Sequence, residues 1–523
     1  MAKKNSRTVN SLYNFTSSIG GQLITVIMQF VVRTVFIQTL GKSYLGINGL
    51  FSNILSMLSL TEFGVGSAIL FKLYEPIARE DHKRIALLMK FYKNVYRLIG
   101  TAIAVIGLAL IPFLPWLIKD YSRLSELGLN TALIFILYLG KTVSSYVFFS
   151  YKSAIVRANQ KEYLINLVSY IFTVAAAILQ VIFLKLIPRF EIYVLISVLQ
   201  VLMQNAAVAV MANRMYPYIN QKTPEKIGRD EVLGVVKDCS ALFLYKLNGV
   251  VLKATDNIVL SKFLGLEMVG LYSNYYIFYT TINTLFSKIF GSISHSLGNL
   301  HTTHDNRHEY EVFEAIMLTT AILGGTAWAG ICAVADEFVL TWVGREWLLP
   351  QPFSFLMGFE LFTLAQRVIL SRYRTTMGLF QQAKFRPLAG MIINLVVSIA
   401  LVNVWGISGV LVGTLVADWT TFMWFDPMII HKYGFNNYRP VSRFYLKILA
   451  YTLLSAAMCG VDTWVCTRVF VGHGWLSVMV HAAFCGLTVP AVLIAVTWKT
   501  PAGRYVQRMI RSNVRKLLKK IRK

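Results

Sequence analysis

The segment Asn14–Leu40 reads NFTSSIGGQLITVIMQFVVRTVFIQTL and is the first long apolar run of the chain. About 20 residues in a helix cross a bilayer, so this run is long enough to span one. Polar side chains recur along it at steps of three or four residues and form one helical stripe: Asn14, Ser18, Gln22, Thr25, Gln29 and Arg33. A helix surrounded by lipid would not carry such a stripe. The pattern therefore predicts a spanning helix that turns Gln22, Gln29 and Arg33 toward protein or a water-filled cavity, with a buried structural ion pair at Arg33 as the alternative.

The composition is that of an integral membrane protein. Of the 523 residues, 56% are hydrophobic and only 15% are charged, whereas a soluble domain is typically about 25% charged. The mean hydropathy is +0.56. The five cysteines form no CxxC pair, so neither a disulfide framework nor a metal site is expected. We expect no cofactor.

The apolar runs predict about fourteen transmembrane helices in an all-α polytopic protein. The predicted spans are Asn14–Leu40, Leu45–Phe71, Leu98–Leu117, Leu129–Phe149, Leu164–Leu184, Ile192–Ala212, Ala241–Leu260, Val269–Ile293, Phe313–Val334, Phe353–Leu370, Leu388–Trp405, Val410–Ile430, Leu449–Cys466 and Leu476–Val496.

The basic residues predict the orientation of these spans. With a cytoplasmic N-terminus, 37 of the 51 Lys and Arg fall in inside segments, 8 in outside segments and 6 within spans. This asymmetry follows the positive-inside rule and predicts that both termini are cytoplasmic. The net charge of +26 is then explained by topology, and nucleic acid is not an expected partner.

The tail 499–523 carries ten Lys and Arg and no acid. Its apolar residues fall on one helical face: Val506, Ile510, Val514, Leu517 and Ile521. This pattern predicts an amphipathic helix on anionic membrane lipids. A partner-docking helix is the alternative.

The connections between spans argue against an enzyme. The outside segments are too short for a catalytic domain, and no GxxxxGK[ST] phosphate-binding loop occurs. ATP is therefore not expected to drive this chain directly.

Two short motifs repeat in order at nearly equal offsets. The pattern L-G-x-x-x-[LV]-G-[IL] occurs at 40–47 and 264–271, and INLV occurs at 165–168 and 393–396. They predict a parallel repeat of two six-helix lobes. The predicted domains are the N-terminal lobe 1–213, a cytoplasmic linker 214–240, the C-terminal lobe 241–430, two extra helices in 431–498 and the basic tail 499–523.

The repeat places one cation near the middle of four spans. Lys141 precedes Arg367 by an offset within the range of the repeat, and Arg33 and Lys253 occupy corresponding places. Because guanidinium and ammonium groups suit phosphate oxygens, we predict that these four cations bind an anionic substrate. Candidate polar or coupling residues are Gln22, Gln29, Glu62, Lys246, Asp256, Asn257 and Glu360. The alternative is that some of these charges form structural ion pairs with carboxylates in or beside the spans.

Three segments carry a family resemblance. They are Arg33 followed by LGKSYLGINGLFSNI, the stretch LSLTEFGVGSAILFKLYEPIA from residue 58, and TDNIVLSKFLGLEMVGLYSNY from residue 255. Over nearly its whole length the chain resembles the polysaccharide flippases of the multidrug/oligosaccharidyl-lipid/polysaccharide exporter superfamily.

The resemblance implies two six-helix lobes around a central cavity, with two extra helices. It implies a protein of the bacterial cytoplasmic membrane that flips undecaprenyl-diphosphate-linked oligosaccharides outward for capsule, O-antigen or exopolysaccharide. We expect the protein to be a monomer. A polysaccharide polymerase is a candidate partner. Two alternatives stay open, a lipid II flippase of peptidoglycan synthesis and a drug/cation antiporter of the same superfamily. The four cations and the extra helices argue against the antiporter.

The topology can be tested by cysteine labelling from outside the cell. A cysteine placed at Glu126 or Gly344 should react with an impermeant reagent, and one placed at Asn306 should not. Outside labelling at position 306 would contradict the predicted orientation.

Overall fold

The computed structural model describes residues 7–59, 65–119, 121–126, 128–221, 227–228, 232–233, 255–302, 306–379, 381–470, 472, 474–508 and 511. Only the backbone is described for 7–20, 22–23, 65, 67–68, 123, 125–126 and 291–302. Within these ranges the regular secondary structure is helical and contains no strand. The chain divides into two compact units, Met1–Gly270 (unit 1) and Leu271–Lys523 (unit 2).

Unit 1 is built from long apolar helices joined by short turns. The main helices are α1 Arg7–Leu40, α2 Lys42–Leu58, α3 Val65–Ala78, α4 His82–Leu110, α5 Thr131–Val147, α6 Ser153–Ala158, α7 Glu162–Leu186, α8 Phe190–Met215, α9 255–264 and the start of α10 Leu266–Thr302. Two short helices, Leu114–Leu117 and Tyr121–Glu126, lie between α4 and α5. Helix α1 packs along α7, α8 packs against α5 and α7, and α4 packs against α5.

Unit 2 is organised around one long helix. Its helices after α10 are α11 Asn306–Val343, α12 Phe353–Thr376, α13 Arg386–Trp405, α14 Ile407–Gly434, α15 Val441–Arg468, α16 Trp475–Thr497 and α17 501–508. Helix α11 packs against α12, α15 and α16, while α13 and α14 form a hairpin. The first turns of the basic tail join this core, because Ala502 and Val506 are buried against it. The rest of the predicted tail helix lies almost entirely outside the described residues.

The outer faces of these helices are apolar, as a lipid environment requires. Large side chains such as Phe71 and Leu487 are 75% and 73% exposed, whereas soluble proteins rarely expose large contiguous apolar patches. Nine helices in the described part of the chain are long and apolar enough to cross a membrane, or ten if the bent pair α5–α6 is one span. The all-α, multi-pass class is therefore confirmed. The number fourteen stays a prediction.

Helix α4 begins well before the apolar run that predicted it. The predicted span starts at Leu98, but the helix starts at His82, where the Asp81 side chain accepts a hydrogen bond from the Arg84 backbone N–H at 3.0 Å. This N-cap satisfies one of the free donors of the first turn. The added turns carry Lys90, Lys93 and Arg97.

Helix α14 is irregular where it carries its acids. It widens into π-helical turns at Asp418–Met423 and Ile430–Gly434, on either side of Pro427. Proline cannot donate a backbone hydrogen bond and crowds the preceding turn. Such turns occur frequently at functional sites.

The two copies of the glycine motif adopt the same local structure. Gly41 and Gly265 have φ values of 87° and 91°, a left-handed conformation that favours glycine, and each precedes a helix. The copies also pack reciprocally within unit 1. A Cβ on Gly46 would collide with the backbone of Leu266, and one on Gly270 would collide with the backbone of Lys42.

This reciprocity is what a repeat predicts, because Lys42 and Leu266 occupy equivalent motif positions, as do Gly46 and Gly270. The wider six-helix repeat and the predicted domain boundaries stay predictions. Much of the linker 214–240 and of the predicted span Ala241–Leu260 lies outside the described residues.

The close packing of the two motif copies, in which the helices α2 and α10 cross, predicts a large effect of one methyl group. Gly46→Ala should lower the free energy of unfolding by about 1–3 kcal/mol, because the colliding atoms belong to backbone and cannot rotate away. Thermal unfolding of the purified protein in detergent measures this. Gly140→Ala in α5 is the matched control, because its Cβ meets nothing within 4 Å. Equal unfolding temperatures for the two variants would contradict the crossing.

Candidate functional site

The predicted site residues are described to different extents. Glu62, Lys246 and Lys253 lie outside the described residues, and Gln22 is described by its backbone alone. In unit 1, Gln29 is exposed on α1 while Asp256 and Asn257 are buried on α9. The remaining members fall in two groups. Unit 1 contains Arg33 and Lys141, and unit 2 contains Glu360 and Arg367.

Arg33 lies beside an aromatic cluster where α1 meets α8. The side chain is half-buried and lies within electrostatic range of the Tyr193 hydroxyl. One turn further along α1, Phe36 packs edge-on against Tyr193 at 4.9 Å and against Phe190 at 5.7 Å between ring centroids. These contacts fix the face of α1 that carries Arg33.

The cluster continues to α5 and α2 through Tyr138. This ring lies 6.3 Å from Phe190 and 6.0 Å from Phe51, and its hydroxyl donates a hydrogen bond to Asn48 Oδ1. The phenol is thus held by packing on one side and by an amide on the other. Tyr138 thus brings a polar atom to an otherwise aromatic cluster.

Lys141 follows Tyr138 by one helical turn and differs from the other cations in having no partner among the described residues. It is half-buried on α5. In the described part of the chain it makes no hydrogen bond, ion pair or ring contact. The nearby hydroxyls are satisfied by their own helix, since Thr142 and Ser145 donate to the carbonyl oxygens of Tyr138 and Thr142. The ammonium therefore keeps its three donors for a ligand or for water.

Arg367 in unit 2 has a different environment. Its Nη1 atom donates to Asp418 Oδ1 at 2.6 Å, and this carboxylate side chain is only 3% exposed. Glu360 and Tyr279 also lie within electrostatic range of the guanidinium. Arg367 is thus already balanced by a buried acid, which is the structural ion pair that the sequence left open as the alternative.

The charged network extends along α14 beyond this pair. The Phe422 ring lies 5.0 Å from the Arg367 guanidinium carbon and 4.0 Å from that of Arg386. Asp426, which is 0% exposed, pairs with Arg386 and with Arg374, the latter at 3.5 Å. Three guanidinium groups, two carboxylates and one aromatic ring therefore link α12, α13 and α14.

The cations of the two units thus have different environments. In unit 2 the arginines of α12 and α13 described above meet acids of α14, while Lys141 of unit 1 meets no acid among the described residues. An ammonium of this kind can bind an anion without first breaking an ion pair. Arg367 stays a predicted contributor to anion binding, but an anionic ligand would have to displace the Asp418 carboxylate from its guanidinium group.

Several residues of this network were not predicted as a site. Asp418, Phe422 and Asp426 are spaced four residues apart and share one face of α14, and Arg367 and Arg374 are seven apart on α12. These matching periods were the available signal. By contrast, no spacing in the sequence connects Tyr138 with Asn48 or Arg33 with Tyr193.

The fold is similar to several solved structures, among them those of a lipid II flippase and of two MATE proteins. The lipid II flippase MurJ in an inward closed conformation matches with a TM-score of 0.64 and 14% identity, over 94% of this chain and 99% of that chain. An inward-facing multidrug resistance MATE transporter of the MOP superfamily matches with a TM-score of 0.58 and 12% identity, over 80% of this chain and 96% of that chain. A MATE protein in complex with MaD3S matches with a TM-score of 0.51 and 13% identity, over 82% and 98%.

No protein-family model and no curated protein matches the sequence. At these identities the structural similarity shows the fold. The chain is therefore a multi-pass, all-α membrane protein with the fold found in MOP-superfamily transporters and in a lipid II flippase.

The contrast between Arg367 and Lys141 predicts opposite effects on stability. Arg367→Ala should cost about 3–5 kcal/mol of unfolding free energy, because it leaves the Asp418 carboxylate buried without its partner. Lys141→Met should cost nothing or stabilise, because it removes a partly buried charge that has no counter-ion.

Thermal unfolding in detergent measures both variants. The double variant Arg367→Met/Asp418→Leu should regain most of the stability that Arg367→Ala loses, because no orphan charge remains. Full stability of Arg367→Ala would show that the pair contributes little and would contradict the assignment.

Proposed function

We propose that this protein flips a polyprenyl-diphosphate-linked oligosaccharide from the inner to the outer leaflet of the bacterial cytoplasmic membrane. Transport would proceed by alternating access, with Lys141 and Arg33 contributing to a cationic substrate site. Lys253 and Arg367 complete the predicted set. The product would enter capsule, O-antigen or exopolysaccharide assembly.

The observation that carries this proposal is Lys141, a cation on an apolar helix without an acidic partner among the described residues. Ionisable residues in such helices are costly, and where they occur they mark substrate or ion pathways. Unlike a neutral substrate, a diphosphate supplies the counter-charge that an ammonium in this position lacks. Tyr138, one helical turn before Lys141 on α5, and its partner Asn48 add polar atoms without adding negative charge.

The direction of transport agrees with the membrane potential. An inside-negative potential favours outward movement of an anion by about 2.3 kcal/mol per charge per 100 mV. The same field opposes the return of an empty cationic site. A co-moving cation or proton would offset this cost, and Asp256 is the candidate carrier that we propose from its burial on α9.

A lipid II flippase is the second candidate. The similarity to MurJ extends over 94% of this chain with a TM-score of 0.64, and lipid II also carries a diphosphate on a polyprenyl chain. The two candidates share the anionic headgroup and differ in the sugar. Lys141 serves either one, so the assignment of the sugar needs a cellular assay.

The test is complementation of a deletion strain, with the amount of protein in the membrane measured for every variant. Lys141→Ala should reduce export at least about tenfold, as expected for loss of a charge-assisted contact, at an unchanged protein level. Lys141→Arg should retain part of the activity because it keeps the charge. Lys185→Ala at the exposed end of α7 is the matched control and should export normally.

Normal export by Lys141→Ala at a normal protein level would overturn the proposed role of this cation. Accumulation of lipid-linked oligosaccharide on the inner leaflet of the deletion strain would identify the polysaccharide pathway. Accumulation of lipid II would instead identify the second candidate.

A further inference from the structure

A second cluster of cations lies at the predicted cytoplasmic end of unit 1, away from the residues discussed above. Lys152 occupies the turn between α5 and α6 and is only 6% exposed. It reaches this position because Phe149, with a φ of 62°, turns the chain sharply after α5. A bulky residue in the left-handed region is unusual and often marks a functional site.

Neutral groups surround the buried ammonium. Its Nζ atom donates to Asn213 Oδ1 at 2.7 Å and to Asn220 Oδ1 at 3.3 Å. The rings of Phe149 and Tyr151 each lie 5.9 Å away. An ammonium has three donors, so the two asparagines leave one N–H without an acceptor in the described part of the chain.

Helix α4 brings further positive charge to the same place. Lys93 lies within electrostatic range of Lys152, and Arg97, one turn later on α4, lies within range of Tyr151. Lys93 is half-buried and Arg97 is exposed, so the cations form a path from the surface to the buried ammonium. The nearby acid Glu162 is paired with Arg157 at 3.6 Å, and no described carboxylate pairs with any of the three cations.

We propose that Lys93, Arg97 and Lys152 form a binding site for a phosphate group presented at the cytoplasmic surface of unit 1. Burying a cation among like charges is costly without an anion. A bound phosphate removes this cost and accepts the remaining Lys152 donor. The Arg97 guanidinium has the planar fork that matches phosphate oxygens.

The position of the site indicates where the phosphate comes from. The turn 150–152 and the segment that contains Asn213 and Asn220 both border predicted inside connections, where the polar region of the inner leaflet supplies phosphate at high density. A phospholipid headgroup and a water-soluble phosphate offer the same chemistry. Separate probes distinguish these two sources.

The experiment measures thermal unfolding of the full-length protein in detergent at constant ionic strength. The probes are dioctanoyl phosphatidylglycerol and inorganic pyrophosphate, each titrated against the wild type, and dioctanoyl phosphatidylcholine serves as the zwitterionic comparison. A ligand that binds only the folded state raises the unfolding temperature in a concentration-dependent way. We expect phosphatidylglycerol to produce this shift, with half-saturation at an at least about tenfold higher concentration for Lys152→Gln.

The double variant Lys93→Gln/Arg97→Gln leaves Lys152 and its asparagines intact. It should weaken the response to a similar extent, and it keeps the test decisive if Lys152→Gln does not fold. Arg79→Gln/Lys83→Gln is the charge-matched control, because both residues are exposed cations on the same predicted side. It should respond as the wild type does. Because all variants keep the basic tail, lipid bound by the tail contributes equally to each of them.

Each outcome decides the proposal. A Lys152-dependent shift with phosphatidylglycerol supports a lipid-headgroup site, and a Lys152-dependent shift with pyrophosphate alone supports a site for a soluble phosphate or diphosphate. If neither probe shifts the wild type, or if the Lys93→Gln/Arg97→Gln variant responds fully, the proposal is wrong. The measurement involves no transport, so it stands or falls independently of the flippase assignment.

Discussion

The structure depends on how ionised side chains are accommodated in helices that are otherwise apolar. A charge in hydrocarbon requires a counter-charge, hydrogen bonds or a ligand. In unit 2 the requirement is met within the protein, since Asp418 and Asp426 lie 3% and 0% exposed against arginine partners. In unit 1, Lys141 has no such partner among the described residues. The arginines of unit 2 thus link helices through ion pairs, whereas Lys141 keeps its donors free of any ion pair with the described residues.

The network of unit 2 also explains the shape of α14. A regular helix would have to continue past Pro427, which cannot donate to the turn before it. The π-helical turn at Asp418–Met423 carries the carboxylate that meets Arg367, and the ring of Phe422 then lies against two guanidinium groups. The irregular backbone and the buried acids therefore occur in the same stretch of α14.

Sequence reasoning recovered the features that depend on local pattern. Where an apolar run is one helix, the span was predicted well, and the predicted span Leu388–Trp405 differs from α13 Arg386–Trp405 by two residues at one end. The predicted single span Leu45–Phe71 instead falls on two helices, α2 and α3. Pairing across helices was not predictable in the same way. Arg367 and Asp418 are 51 residues apart. A single sequence does not indicate which carboxylate within the spans pairs with which cation. The beginning of α4 was missed because Lys90, Lys93 and Arg97 interrupt the apolar pattern before Leu98, so that the short apolar stretch 85–89 was not joined to the span.

The sign of the uncompensated charge bears on the class of substrate. A transporter that exchanges organic cations needs an acid whose charge is free to act on them, but the carboxylates Asp418 and Asp426 are both held by arginines. Neutralised acids attract cations weakly, because the nearby guanidinium cancels their field at short range. An unpaired ammonium acts in the opposite sense, attracting anions and repelling organic cations. The Tyr138 hydroxyl, one helical turn before Lys141 on α5, is hydrogen-bonded to the Asn48 amide, and neither group carries a charge that would oppose this preference. The pairs at Asp418 and Asp426 are therefore poor sites for an organic cation, whereas the Lys141 ammonium is better suited to an anion.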